Sequence, residues 1–371
     1  MHSVHSFFRI RRGMTLIELL VVAGLMVLLV AISMPVMRPV AEDRAPREAI
    51  RGLQNMIESA KIRAAKLGRP CGVALIPYSS TVQNESGASI TTAFPSVCLK
   101  CEPVTCPPDY SGVTRISASG GVGATGSLTV TFTDVDTSLR AAGNRIRING
   151  AGPWFQFTGG ATGSTTVTSP AVAGVGYFEP FWLKNAQSDT YYPYTVRRAP
   201  VLNSNNAFAK ALGMDPPLTF PRGIVVDLYC SGVGMASGSG SLTSSEWKNL
   251  VMTKTASGYP PIIILFQPGG EVELFHNGTT SMIPPTPSNT NDPTSKIYLL
   301  VGQWQRGLVD PNTRIWLASS DQKKNFQNPN SYWLVINPRT GVVTSAPNRP
   351  ANDVITSREF AKTQIKGMGS K

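Results

Sequence analysis

Apolar residues fill almost every position from Met14 to Met34, with Glu18 the one charged residue among them, and the rhythm changes at Pro35. At about 1.5 Å per residue this run matches a ~30 Å hydrocarbon core, so the pattern predicts a membrane-spanning helical segment over 14–34. From 35 to 69 the spacing differs. Ile50, Leu53, Ile57, Ala60, Ala64 and Leu67 recur at three- and four-residue steps, while Arg47, Glu48, Arg51, Glu58, Lys61 and Arg63 fall elsewhere. That is an amphipathic helix, closed by Gly68 and Pro70. Its apolar stripe needs a sheet to cover.

Strand patterns follow. CGVALIPY opens the series at Cys71, and PRGIVVDLYC (221–230), PIIILFQPGGEVELF (261–275), KIYLLVGQW (296–304) and YWLVINPRTGVVTSA (332–346) continue it. The second of these reads as two strands joined by Pro-Gly-Gly, and the last as a hairpin turning at Pro338-Arg339-Thr340-Gly341. Between about 79 and 220 lies a block rich in Ser, Thr, Gly and Pro. Its strand candidates are SLTVTF (127–132), NRIRIN (144–149), PWFQFT (153–158) and TYYPYTV (190–196). The stretch 231–245 has the composition of a flexible loop. Near the end TSREFAKTQIK (356–366) predicts a short helix, with Thr356 and Glu359 spaced as a capping box.

The apolar run raises a chemical question. A carboxylate in hydrocarbon costs at least ~2.5 kcal/mol, so Glu18 calls for a partner or a task. A secretory signal peptide would end in a small-residue cleavage site, and none follows this run. A plain anchor accounts for Arg9, Arg11 and Arg12, which by the positive-inside rule keep the N-terminus cytoplasmic, but leaves Glu18 unexplained.

Gly13, Met14, Thr15, Leu16, the Ile17-Glu18-Leu19-Leu20 stretch and Pro35 together resemble the leader of the type IV pilin and pseudopilin family. Met14 stands where phenylalanine is most common. The resemblance implies that a prepilin peptidase cuts after Gly13, that the freed amine of Met14 is methylated, and that Glu18 pairs with the N-terminal amine of a neighbouring subunit in a filament. The long helix running straight into a strand, the Pro-Gly-Gly hairpin and the closing Asn-Pro-x-Thr-Gly hairpin are similar to the GspH and FimT branch.

The expected fold is therefore α+β: a long N-terminal membrane-spanning helix packed on a mostly antiparallel β-sheet or sandwich with a large inserted block. Expected segments are a leader (1–13), the transmembrane part of the helix (14–34), an amphipathic part (35–69), a GspH-like β domain (70–346) with its insertion at about 79–220, and a tail with a short helix (347–371). The implied function is that of a minor pseudopilin or minor pilin, a non-enzymatic subunit of a type II secretion pseudopilus or type IV pilus-like filament. Its implied partners are prepilin peptidase, other pilins or pseudopilins, and the bacterial inner membrane. A single pass with the C-terminal domain in the periplasm is the expected placement.

Composition narrows the chemistry. Gly (34), Pro (29) and only 15% charged residues suit a mostly β chain. Loss of the three leader arginines would lower the net charge from +12 to +9, a modest excess that suits solubility. Of three histidines only His276 lies outside the leader, so multi-histidine metal sites are excluded. His276, ahead of Asn277-Gly278, reads as an exposed turn residue. No cofactor, metal or catalytic residue is expected. GVGATG (121–126) spells a dinucleotide motif but leads into a strand rather than a helix, so it reads as a glycine loop. Asp134 and Asp136 lack the spacing of a calcium loop.

Cys98, Cys101 and Cys106 in CLKCEPVTC read as a local disulfide, with zinc as the alternative. The six tryptophans suit core packing or surface recognition. The alternative function is a DNA-binding minor pilin acting in DNA uptake. Arg145 and Arg147 share one face of a strand, Arg197 and Arg198 follow an aromatic run, and Arg358, Lys362 and Lys366 lie on the last helix.

Overall fold

In the computed structural model the helix ends where the sequence places its stop. It runs Leu16–Leu67, 52 residues, and Gly68 follows in a left-handed conformation (φ +63°) that a residue without Cβ adopts freely. The structure describes residues 16–83, 89–119, 127–132, 135–141, 143–150, 154–157, 164–168, 171–172, 176–177, 191–203, 216–234, 247–256, 258–277, 279–282, 296–317 and 323–368. Gly13 and Met14, the glycine loop 121–126, Asp134 and Trp182 lie outside them.

The chain divides into two compact units, residues 1–45 and 46–371. The expectation of a membrane-spanning helix is corrected, and with it the single-pass inner-membrane placement. Among the described residues no helix is long and apolar enough to cross a membrane. In place of the expected α+β arrangement around such a helix, the protein is mostly antiparallel β-sheet.

In chain order, β1 (Cys71–Gln83) and β2 (Ser89–Thr105) open the main sheet as a long hairpin. The inserted block then forms β3 (Tyr110–Ser119), β4 (Ser127–Phe132), β5 (Arg145–Ile148), β6 (Phe155–Phe157) and β7 (Ser164–Thr168). A small ribbon follows, β8 (Ala171–Val172) with β9 (Gly176–Tyr177), and β10 (Tyr191–Arg197) completes the block. The chain returns through β11 (Val201–Leu202), β12 (Leu218–Thr219) and β13 (Ile224–Val233). It finishes with β14 (Ile262–Phe266), β15 (Val272–His276), β16 (Thr279–Met282), β17 (Ile297–Gln303), β18 (Tyr332–Ile336) and β19 (Val343–Pro347), then a helix, Val354–Met368.

The main sheet has the order β16-β15-β14-β1-β2-β13-β17-β18-β19, and β11 and β12 add to the outer edge of β2. Every pairing in it is antiparallel. β14 and β15 are buried at every position, which follows from a sheet covered on both faces. The amphipathic half of the N-terminal helix covers one face. Leu53, Ile57, Ala60 and Ala64 are fully buried, Arg47 Nε donates to the Tyr332 hydroxyl (2.7 Å), and Lys61 Nζ donates to the Thr340 carbonyl (2.7 Å).

The opposite face carries two further clusters. Ala74, Val104, Cys106, Ile263, Leu265 and Phe275 meet Ala199 and Leu202 at one end. At the other, Tyr298, Leu300, Trp333 and Val335 pack under Ala361 and Ile365 of the C-terminal helix. Trp333 Nε1 donates to Asn348 Oδ1 (3.0 Å) and Ser357 Oγ (2.8 Å), which fixes that helix. Its N-terminus is capped by Asp353, which accepts from Thr356 N at 2.8 Å, so the cap lies three residues before the expected Thr356.

The inserted block is a closed barrel, β10-β3-β4-β7-β6-β5, instead of an enlargement of a sandwich. Phe132, Ile146, Ile148, Phe155, Phe157, Tyr192, Tyr194 and Val196 fill it. Alternation along β10 puts Tyr192, Tyr194 and Val196 inward while Tyr191 stays outside, the period-two pattern legible in TYYPYTV.

Candidate functional site

The N-terminal helix carries the feature that most needs an explanation. Leu16, Ile17, Leu19, Leu20, Val21, Val22 and Leu25 through Val30 are all exposed, from 41% at Val22 to 83% at Leu16. At 100° per residue a run this dense covers the whole circumference, and a helix apolar on every side is normally buried on every side. Buried fully from full exposure, each such side chain would contribute about 1.5–3 kcal/mol, so burial of these twelve could contribute at most about 35 kcal/mol. Glu18 sits in its first turn. Gly13 and Met14, the expected cleavage and methylation positions, fall outside the described residues.

The three clustered cysteines separate. Cys98 and Cys101 lie together, their Sγ atoms 3.9 Å apart. Cys106 points to the other face of the sheet, into the cluster with Val104 and Phe275. Burial pushes its thiol up to about 12, against the pull of Arg145 and Arg197. This geometry does not supply three thiols to one ion. Among the described residues no group of three or more His, Cys, Asp or Glu could hold a metal.

The candidate arginines are engaged by other groups of the fold. Arg358 is fully buried rather than presented to a ligand. Its guanidinium donates to the carbonyls of Cys230 (2.6 Å) and Gly234 (3.3 Å) and lies 5.6 and 5.7 Å from the ring centroids of Tyr298 and Trp333. A phosphate cannot reach it, so its assignment to a DNA-binding helix face is corrected. Lys362 is half-buried on the same helix, and the side chain of Lys366 lies outside the described residues.

Arg145 and Arg147 do share the outer face of β5, as alternation requires, but that face meets the main sheet. Arg145 Nη2 donates to Glu273 Oε2 at 2.6 Å, with the two side chains 12% and 3% exposed. Arg147 and Arg197 lie 4.4 and 4.7 Å from the ring centroid of Trp154, and Arg198 donates to the Pro108 carbonyl. Arg145 joins the barrel to the main sheet through Glu273, and Arg197 reaches Gln267, which follows β14.

Of two buried titratable groups, Asp227 was not singled out by the sequence and His276 is corrected from an exposed turn residue. Asp227 is fully buried in β13 and accepts hydrogen bonds from the Cys230 amide (3.0 Å) and Asn325 Nδ2 (3.0 Å). Burial pushes its carboxyl up to about 6, and those bonds offset only part of the effect. His276 is 5% exposed, not a turn residue open to water, because β16 folds back and pairs it with Thr279. Burial holds its imidazole down to about 4, and Nε2 has no hydrogen-bond partner among the described residues. Asp136 serves locally, accepting from Ser138 N at 2.7 Å. Trp247 and Trp333 are core residues, while Trp154, Trp304 and Trp316 are half-buried.

No family model matches the chain, and no curated protein or solved structure matches it.

Proposed function

We propose that this protein is a non-enzymatic structural subunit, a minor pilin or minor pseudopilin of a type IV pilus-like or type II secretion filament, released from its leader by prepilin peptidase after Gly13. The observation that carries the reading is the helix from Leu16 to Val30, apolar around its circumference and exposed along its length. One partner surface would bury a single stripe of such a helix. Several parallel helices bury all of it, and a filament core made of the same helix from successive subunits is such an environment.

In this reading Glu18 meets the amine of Met14 of a neighbouring subunit. A buried carboxylate and ammonium are tolerated when paired, so the contact sets the axial position at which one subunit can sit against the next. The β-sheet, barrel and C-terminal helix add bulk that would be awkward to repeat at every position, which favours a substoichiometric place. The test is recovery of the processed chain, beginning at Met14, from sheared filaments of a cell that expresses it with the other subunits. Low but definite stoichiometry supports the proposal, and loss of the Glu18→Ala variant from the filaments, with the variant still present in cells, supports the role of Glu18. Absence of the wild-type chain from filaments contradicts it.

A further inference from the structure

Side chains alternate along a strand, so residues three apart point to opposite faces. Cys98 and Cys101 do not. In the pairing of β1 with β2, Ile76 stands opposite Lys100 and Pro77 opposite Cys98, which leaves Leu99 as an extra residue, a β-bulge. One added residue shifts the alternation by one step and brings both thiols to the same face. Their Sγ atoms are 3.9 Å apart, and neither side chain has any exposure.

The bulge lies where the outer edge of β2 changes partner. Cys101 is opposite Leu218 of β12, and Cys98 is opposite Val226 of β13. Two strands that return from the far side of the barrel insertion enter the sheet at this point. A slip of one residue here would turn every later inward side chain outward. We infer that Cys98 and Cys101 form an intrastrand disulfide that fixes the Leu99 bulge and, with it, the register in which β12 and β13 join β2.

The chemistry is thiol–disulfide exchange with a small-molecule or protein disulfide, R–S–S–R. One cysteine thiolate attacks a sulfur of the oxidant and releases one R–S⁻. The second thiolate then attacks the mixed disulfide, closes the Cys98–Cys101 bond and releases the other R–S⁻. The two protein thiols are oxidised, the oxidant is reduced to two thiols, and the two protons pass to the leaving thiolates. Both cysteines are free thiols in the structure, and the sulfurs must close from 3.9 Å to about 2.05 Å. In the finished fold, burial and the neighbouring Cys98 hold the Cys101 thiol well above its ordinary range, which slows attack. The bond therefore forms before β12 and β13 close over the pair.

The test uses the full chain folded in a glutathione redox buffer, capped at free thiols and digested with trypsin without reduction. Trypsin cuts after Lys100, so the peptide ending there and the peptide starting at Cys101 stay joined only if a disulfide crosses the cut. Fragment ions then distinguish Cys98–Cys101 from a bridge to Cys71 or Cys106. The expected result is a Cys98–Cys101 link, and a Tm that falls by about 2–4 °C on reduction in the wild type but not in the variant with Cys98→Ser and Cys101→Ser. Capped thiols at both positions, a bridge to Cys71 or Cys106, or an equal effect of reductant on the variant would overturn the proposal.

Discussion

Replacing His276 with leucine should change the acid side of the stability profile and little else. The imidazole is 5% exposed and held down to about 4 from its ordinary 6.5, with burial as the cause. A histidine whose folded value is depressed favours the fold only while neutral. Its contribution is complete above pH 6.5 and is lost as pH falls toward 4, because the unfolded chain takes up a proton that the folded chain refuses. The difference of about 2.5 units corresponds to a penalty of about 2 kcal/mol at pH 5 and about 3 kcal/mol at pH 4. Leucine has similar volume, no charge, and removes an Nε2 that has no partner among the described residues. Urea unfolding followed by tryptophan fluorescence between pH 4 and 7 should therefore show His276→Leu close to wild type at pH 7 and increasingly more stable below pH 6.5. A wild-type-to-variant difference independent of pH would refute the reasoning, since it would mean that the imidazole titrates alike in both states.

Asp227 should behave in the opposite sense, because its folded value of about 6 lies above its ordinary 3.8 and its protonated form suits the fold, a contribution lost as pH rises through 6. Asp227→Asn sets an amide against Asn325 Nδ2 and should be less stable than wild type at pH 4, then recover about 2 kcal/mol relative to it by pH 7 in the same urea assay. Arg145→Met strands Glu273, 3% exposed, without its cation, and should cost about 3–5 kcal/mol, while Arg145→Met with Glu273→Leu should cost less, by urea unfolding of both variants. Gly341→Ala should lower Tm, with a cost of roughly 2 kcal/mol, because its φ is +60° and a Cβ would stand 2.6 Å from the Gly270 carbonyl oxygen.

Strands such as β1, β13–β15 and β17–β19 were legible because their signals are local, whereas β2 and β3 lay in the block rich in Ser, Thr, Gly and Pro and were not. The Pro-Gly-Gly and Asn-Pro-Arg-Thr-Gly turns fall where the sequence puts them, and in space they stack, with Val272 N donating to the Pro338 carbonyl at 2.8 Å. The amphipathic half of the first helix was legible for the same reason, as its three- and four-residue spacing became the buried stripe. Closure of the barrel was not, since β10 pairs with both β3 and β5 across long stretches of chain and no short pattern encodes that partnership. Arg358 misled because a cation on a terminal helix is usually solvated. Here two carbonyls and two aromatic rings replace water, and a sequence read one segment at a time cannot show that they converge. His276 misled through Asn277, whose φ of +47° does make a turn, but one that folds β16 over the imidazole. The sequence suggested a local disulfide among Cys98, Cys101 and Cys106, but which two thiols come together depends on the Leu99 bulge, which no local pattern shows.

Among the described residues no helix is long and apolar enough to cross a membrane, which corrects the membrane-spanning reading of the apolar stretch that begins at Leu16. What remains to be covered is the exposed surface of that stretch. A photo-reactive benzoylphenylalanine in place of Leu25, 56% exposed, tests the coverage directly in cells that assemble filaments. Light-dependent cross-links to the N-terminal helix of another pilin-type subunit, identified by mass spectrometry, are the expected result. Cross-links confined to residues of its own chain, with none to a second subunit, would contradict it.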